Sequence, residues 1–218
     1  MGIIFKKKET RNRLFFAGIL ILLTIIVYLQ TDNFNENEVK AKYYEIISVV
    51  EKLYENHELV NGMYSNGDLS QIEDVRNYLE PYMTEVTVDK VINDFFHETE
   101  KRLVYASEFQ EYLLQMRETD SDYNYYEVVK NSILNPGLKL VTAEQIYITK
   151  ENDVITAQVM EESVYFYDEN IEHFHYKRLG YPPEDIITVN FEFVEVDGAI
   201  LLSDYYVKTF SEEELNQT

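Results

Sequence analysis

The chain contains no cysteine and no tryptophan, only four prolines and seven glycines in 218 residues, and 19 basic residues against 40 acidic ones. Each shortage excludes something. Without cysteine there is no disulfide, no thiolate metal ligand, no cysteine nucleophile and no lipid-modified cysteine anchor. Small exported domains often depend on disulfides, but a part of about 180 residues buries enough core without them. No Gly-rich phosphate loop, Gly-x-Ser-x-Gly elbow or zinc-protease helix motif occurs, and no internal repeat or low-complexity block. Basic residues beyond the first 13 are scattered among a large acidic excess, which argues against a nucleic-acid partner.

Charge is also missing from one continuous stretch. Leu14 to Leu29, LFFAGILILLTIIVYL, carries none, and Gln30 and Thr31 extend the uncharged run to 18 residues. As a helix this run spans roughly 27 Å, close to a hydrocarbon core of about 30 Å. Lys6, Lys7, Lys8, Arg11 and Arg13 precede it with one acid, Glu9; Asp32, Glu36 and Glu38 follow. That asymmetry predicts a cytoplasmic N-terminus and an external C-terminal part. A cleaved signal peptide would share the basic region but should end in small residues. Here the run ends Val27-Tyr28-Leu29-Gln30-Thr31-Asp32, where Tyr28 suits the outer interface of a spanning helix. The expected organisation is a stub at 1–13, a transmembrane anchor at 14–31 and a linker at 32–38. An extracytoplasmic α+β domain at 39–210 and an acidic tail at 211–218 follow. Removing the basic residues and Glu9 of the stub leaves 14 basic and 39 acidic residues, a formal charge of −25. Such a field keeps a domain soluble and favours cationic over anionic partners.

Beyond the linker, Val39, Tyr43, Ile46/Ile47, Val50 and Leu53/Tyr54 recur three and four apart. This predicts a helix with one buried stripe, ending near Asn61-Gly62. Ser65-Asn66-Gly67-Asp68 reads as a turn. Ser70 and Glu73 form a capping-box pattern opening a helix through Ile72, Val75 and Leu79, which Pro81 stops. Val88, Val91, Ile92, Phe95 and Phe96 mark a third helix. Ser107, with Gln110 as capping partner, opens a fourth through Phe109, Tyr112, Leu113 and Met116. Thr119 to Asn124 reads as loop and Tyr125 to Leu134 as a last short helix before Asn135-Pro136-Gly137.

After Gly137 the hydrophobic period changes to two. Val141 to Thr149 and Val154 to Tyr167 read as strands joined around Glu151-Asn152-Asp153. A longer connection, Asp168 to Asp185, contains Tyr181-Pro182-Pro183. Then ITVNFEFVEV and AILLSDYYVK flank Asp197-Gly198, a strong signal for a two-residue hairpin turn. An unbroken hairpin places Val189 opposite Tyr206, Phe191 opposite Asp204 and Phe193 opposite Leu202. Its apolar face would then hold Val189, Phe191, Phe193, Leu202 and Tyr206, and the solvent face Thr188, Asn190, Glu192, Ser203 and Tyr205. The fold class expected is α+β, a helical half packed on a curved antiparallel sheet.

Few groups carry chemistry. In the hairpin register above, Asp204 falls on the apolar face, where a carboxylate is costly unless hydrogen-bonded. It is the one candidate acid or base; the structural alternative has it bonding a tyrosine hydroxyl or the backbone. His173 and His175 share a face if extended and are weak metal candidates, lacking a third ligand. Asp120-Ser121-Asp122-Tyr123-Asn124 begins like a calcium loop, but Tyr125 stands where glycine is needed and Asn131 where a bidentate Glu is needed. Among 19 tyrosines, Tyr165, Tyr167 and Tyr205 are candidates for an aromatic surface binding glycan or peptide. No cofactor is implied.

Helices first and an antiparallel sheet last resembles the nuclear-transport-factor-2-like superfamily of cone-shaped α+β domains. The resemblance rests on a long first helix, on DLSQIEDVRNYLEPYMTEVTVDKVINDFF as a helix–break–helix, and on VNFEFVEVDGAILLSDYYV as a closing hairpin. It covers roughly residues 36–210; the stretch near 101–135 is longer than the superfamily's usual form, and Leu201 or Ile200 stands near its familiar tryptophan. The superfamily contains enzymes, ligand binders and membrane-apparatus scaffolds, so the resemblance does not choose among them. Together with the 14–31 anchor, the expectation is an extracytoplasmic, membrane-anchored binding or scaffold protein whose partners are the membrane and another envelope protein or a cell-wall component. Two alternatives stay open: a scaffold subunit of a conjugation or secretion apparatus, and a small-pocket enzyme using Asp204.

Overall fold

Residues 35–100, 102–116, 124–168 and 177–210 are described in a computed structural model of the protein. The Leu14–Thr31 anchor expected from sequence lies outside them. Among the described residues no helix is long and apolar enough to cross a membrane.

Helix α1 (Glu36–Glu51) buries Val39, Tyr43, Ile46, Ile47 and Val50, the stripe its three-and-four spacing dictates. It closes in a single 3-10 turn, Lys52–Tyr54, well short of the expected Asn61-Gly62. Two physical causes end it early. Asn61 and Gly62 sit at φ 54° and 83°, the conformation demanded of both central residues of a tight hairpin turn. They join β1 (His57–Val60) to β2 (Met63–Asn66) as an antiparallel pair, so Ser65 and Asn66 are strand rather than turn. The Asn66 side chain also donates to the carbonyls of Lys52 (2.8 Å) and Leu53 (3.2 Å), satisfying helix-end acceptors that would otherwise lack partners.

Helix α2 (Ile72–Leu79) starts one residue later than the Ser70/Glu73 pattern suggests, because the Gln71 amide donates to Asp74 at 3.1 Å. Helix α3 (Glu85–Phe95) follows the expected periodicity through Phe95, whereas Phe96, expected in it, turns extended and opens the strand that follows. Next comes an unanticipated small hairpin, β3 (Phe96–Glu98) with β4 (Leu103–Tyr105). Helix α4 (Ser107–Gln115) begins one residue earlier than the Ser107/Gln110 pattern suggests, with Ala106 at its N-cap. Gln110 does not cap it: its side-chain amide accepts from the Tyr64 amide at 2.7 Å and donates to the Tyr64 carbonyl at 2.6 Å, tying α4 to β2. Helix α5 (Tyr125–Val129) is shorter than the Tyr125–Leu134 expected and is followed by a 3-10 turn at Pro136–Lys139.

Strands β5 (Tyr147–Glu151), β6 (Val154–Tyr165), β7 (Glu184–Val196) and β8 (Ala199–Phe210) form one antiparallel sheet in sequential order. The fold is α+β, as the change of hydrophobic period predicts. Ile155, Val189, Phe191, Phe193 and Leu202 are buried on the sheet's inner face, where the Tyr43 ring of α1 meets Phe191 at 5.0 Å between centroids.

The closing hairpin carries the main correction. Near the turn the register is the one expected, with Phe193 opposite Leu202. Past that pair the ladder shifts by one residue, so Glu192 faces Asp204, Phe191 faces Tyr205 and Val189 faces Val207. Ser203 is the extra residue, and a one-residue slip exchanges the two faces of everything beyond it. Asp204 and Tyr206 therefore point outward and Tyr205 inward, the reverse of the unbroken register. Helix α3 holds the bulge in place. The Thr87 hydroxyl donates to the Ser203 carbonyl at 2.6 Å, and Lys90 donates to the Tyr205 carbonyl at 2.7 Å. The Tyr205 hydroxyl donates to Asp94. Thr87, Lys90 and Asp94 lie three and four apart, on one helical face.

Candidate functional site

Asp204 was expected on an apolar face and is exposed instead. Its carboxylate is paired with Lys90 at 2.6 Å and accepts the Tyr205 amide at 2.8 Å. The Lys90 hydrogen bond first, against a smaller opposing effect of burial and with help from the Tyr205 amide, holds it below the ordinary carboxylate range. The raised pKa that an apolar setting would give a general base is not found there.

The three candidate tyrosines are not brought together. Tyr205 is buried beneath α3, with the Lys90 ammonium 4.1 Å from its ring centre. Tyr165 is exposed at the far end of β6, opposite Glu184, whereas Tyr205 is opposite Phe191. Those two β7 partners are seven residues apart, about 23 Å along a strand. Tyr167 is half-buried and donates to the Tyr181 carbonyl at 3.2 Å.

The outer sheet face presents a different pair. Tyr147 pairs with Gln158, Gln158 with Asn190, and Asn190 with Tyr206. Four neighbouring strands thus form a row with a tyrosine at each end, 59% and 53% exposed, and two carboxamides between. At about 4.8 Å per strand the row is roughly 14 Å across. Thr149, Thr156, Glu192 and Asp204 form the next row toward the turn. Aromatic rings flanking amide groups offer stacking surface and directional hydrogen bonds on an open platform. The sequence signal for Tyr147 is its period-two position; Tyr206 faces outward, not inward as the unbroken register predicts, because the bulge has no local signature.

A second arrangement lies where α1, α5 and the connection before β7 meet. Tyr54, Tyr125 and Tyr181 wall a cleft of about 350 Å³, with Glu51, Glu55 and Lys139 at its rim. The Tyr54 and Tyr125 rings are nearly parallel at 5.8 Å, and Tyr125 and Tyr181 are inclined by 38° at 6.5 Å. Behind them stand Tyr105, Phe109 and Tyr112. Burial pushes the Tyr54 and Tyr125 hydroxyls well above their ordinary range, and the Glu51 carboxylate adds to this at Tyr125 after the neighbouring Tyr181 and Tyr112. Lys139 pairs with Glu51 across the rim. Beside this cleft, Tyr126 donates to Asp185, whose carboxyl burial pushes up to about 6 against the opposing pull of the Ile186 amide. Sequence reading missed Asp185 because it treats 168–185 as connection.

A larger groove, about 570 Å³, runs between the two small hairpins, with Val60 and Met63 on one side and Glu100 and Arg102 on the other. It has no aromatic wall. His173, His175 and the Asp120–Tyr123 start of the calcium-like loop lie outside the described residues. Asn124 caps α5 by accepting from Glu127, and Asn131 accepts from the Thr209 amide at 2.9 Å, so both have structural partners. Among the described residues no cluster of three or more His, Cys, Asp or Glu is arranged to hold a metal ion. No protein-family model matches the chain, and no curated protein or solved structure matches it.

Proposed function

We propose that the chain is a single-pass, membrane-anchored binding or scaffold protein, with an extracytoplasmic domain of the nuclear-transport-factor-2-like type. It would present the outer face of its sheet to a cell-wall component or another envelope protein. The observation that carries this reading is the row Tyr147–Gln158–Asn190–Tyr206, two exposed rings bracketing two carboxamides on the face away from the core. Large exposed aromatics at defined spacing suit recognition better than they suit solubility. The uncharged 14–31 segment with its basic flank supports the anchor and its orientation. Helices followed by a four-strand meander support the superfamily assignment.

The test joins topology to contact. A reporter fused after Thr218 should be active only outside the cytoplasm, and full-length protein should stay with membranes. A photo-crosslinking residue at Tyr147 or Tyr206 in that protein should form an adduct in intact cells, and one at Val86, still more exposed on α3, should not. A soluble product starting near residue 32 would reject the anchor. Equal adducts from all three positions would reject the sheet face.

A further inference from the structure

The tyrosine-walled cleft is separate from the outer sheet row and has its own chemistry. Three aromatic rings, whose faces carry negative electrostatic potential, wall it, and Leu134 and Pro136 complete an apolar lining. Its rim carries two carboxylates and one ammonium. The Tyr125–Tyr181 inclination leaves a concave corner rather than a closed stack. An anion would meet Glu51, Glu55 and the aromatic faces, all unfavourable, and the rim's one ammonium, Lys139, is already held by Glu51. A cation would meet those carboxylates and faces favourably, and Lys139, ion-paired with Glu51, already shows the charge this rim accepts.

We propose that this cleft binds a small organic cation, an alkylammonium head group seated against Tyr125 and Tyr181 with Glu51 and Glu55 balancing its charge. Aromatic walls favour weakly hydrated ammonium groups, because cation–π attraction competes best where little hydration is lost. Lys139 acts as the internal competitor. Its ammonium occupies Glu51 until a ligand displaces it, so the site is weakened by a residue of its own rim.

The test uses full-length protein in a maltoside detergent and choline chloride as the probe, followed by saturation-transfer NMR on the choline methyl protons. The uncharged isostere 3,3-dimethylbutan-1-ol is the control. Choline should bind about tenfold more tightly than the alcohol, the effect of one well-placed charge. Exposed Lys139→Met should tighten choline binding several-fold, because it frees Glu51. The isosteric pair Glu51→Gln with Glu55→Gln should weaken it by about tenfold. Equal binding of choline and the alcohol, or no gain in Lys139→Met, would overturn the proposal. The gain expected from Lys139→Met cannot be produced by misfolding.

Discussion

The Lys90 ammonium lies 2.6 Å from the Asp204 carboxylate and donates to the next carbonyl, that of Tyr205, at 2.7 Å. One side chain thus fixes both the residue that turned outward and the residue that turned inward at the bulge. The pair is an index of register: in an unbroken hairpin Asp204 would be inside.

The register has a direct stability test. Tyr205→Ala removes a side chain that is 7% exposed and should cost about 3–5 kcal/mol, whereas Tyr206→Ala should stay within about 0.5 kcal/mol. Urea unfolding of residues 32–218 measures both. The unbroken register demands the reverse order, so a larger loss from Tyr206→Ala would place the bulge elsewhere. Phe193→Ala lies between the turn and the bulge, where both registers agree, and should also cost about 3–5 kcal/mol.

Asp204 should show a small, acid-sensitive contribution. Its folded pKa is below the unfolded value, so its stabilisation is present above that unfolded value, about 3.9, and is lost as pH falls through the folded value. Solvent screening of a pair this exposed limits it to about 1 kcal/mol or less. The difference in urea midpoint between wild type and Asp204→Asn should shrink from pH 6 to pH 2. It should also shrink in high salt. A difference that grows on acidification would contradict the pairing.

Asp185 should behave in the opposite sense. Its carboxyl is raised to about 6, so the folded state binds a proton the unfolded chain has released. The stabilisation is complete below the unfolded pKa, about 4, and is lost as pH rises through about 6. Asp185→Asn keeps an acceptor for Tyr126 but cannot titrate. Relative to wild type its urea midpoint should therefore rise between pH 4 and pH 7. A pH-independent difference would mean the carboxyl titrates normally.

Asn66 should tolerate almost no polar exchange. It is 2% exposed, donates to the Lys52 and Leu53 carbonyls, and accepts from the amides of Asp68 (2.8 Å) and Leu69 (2.9 Å). Asn66→Asp would set a second acceptor against two carbonyls, costing about 3 kcal/mol or more. Thermal unfolding at pH 7 should show a large loss that is partly recovered at low pH, where a protonated carboxyl regains one donor. A loss of less than about 1 kcal/mol at pH 7 would mean those bonds carry little of the fold.

What the sequence by itself determined is whatever depends on neighbours in the chain. The spacing of Val39, Tyr43, Ile46 and Val50 makes a one-sided helix. The alternation either side of Asp197-Gly198 makes a hairpin, and the first four cross-strand pairs from the turn are set by the turn alone. The uncharged run at 14–31 and its basic flank are likewise written locally. Tertiary structure decided what depends on distant partners. Asn61-Gly62, which reads as the end of α1, is instead the turn of a hairpin, and α1 stops before it where Asn66 reaches back to the helix's last carbonyls. Nothing near Ser203 announces a bulge; it persists because Thr87, Lys90 and Asp94 of α3 bond to the shifted strand. The tyrosine-walled cleft takes one ring each from α1's end, α5 and the segment before β7, so no window of sequence contains it. Local periodicity fixes which residues face inward within an element. Only packing between elements fixes where a ladder slips and which side chains meet, because those bonds link residues about a hundred positions apart.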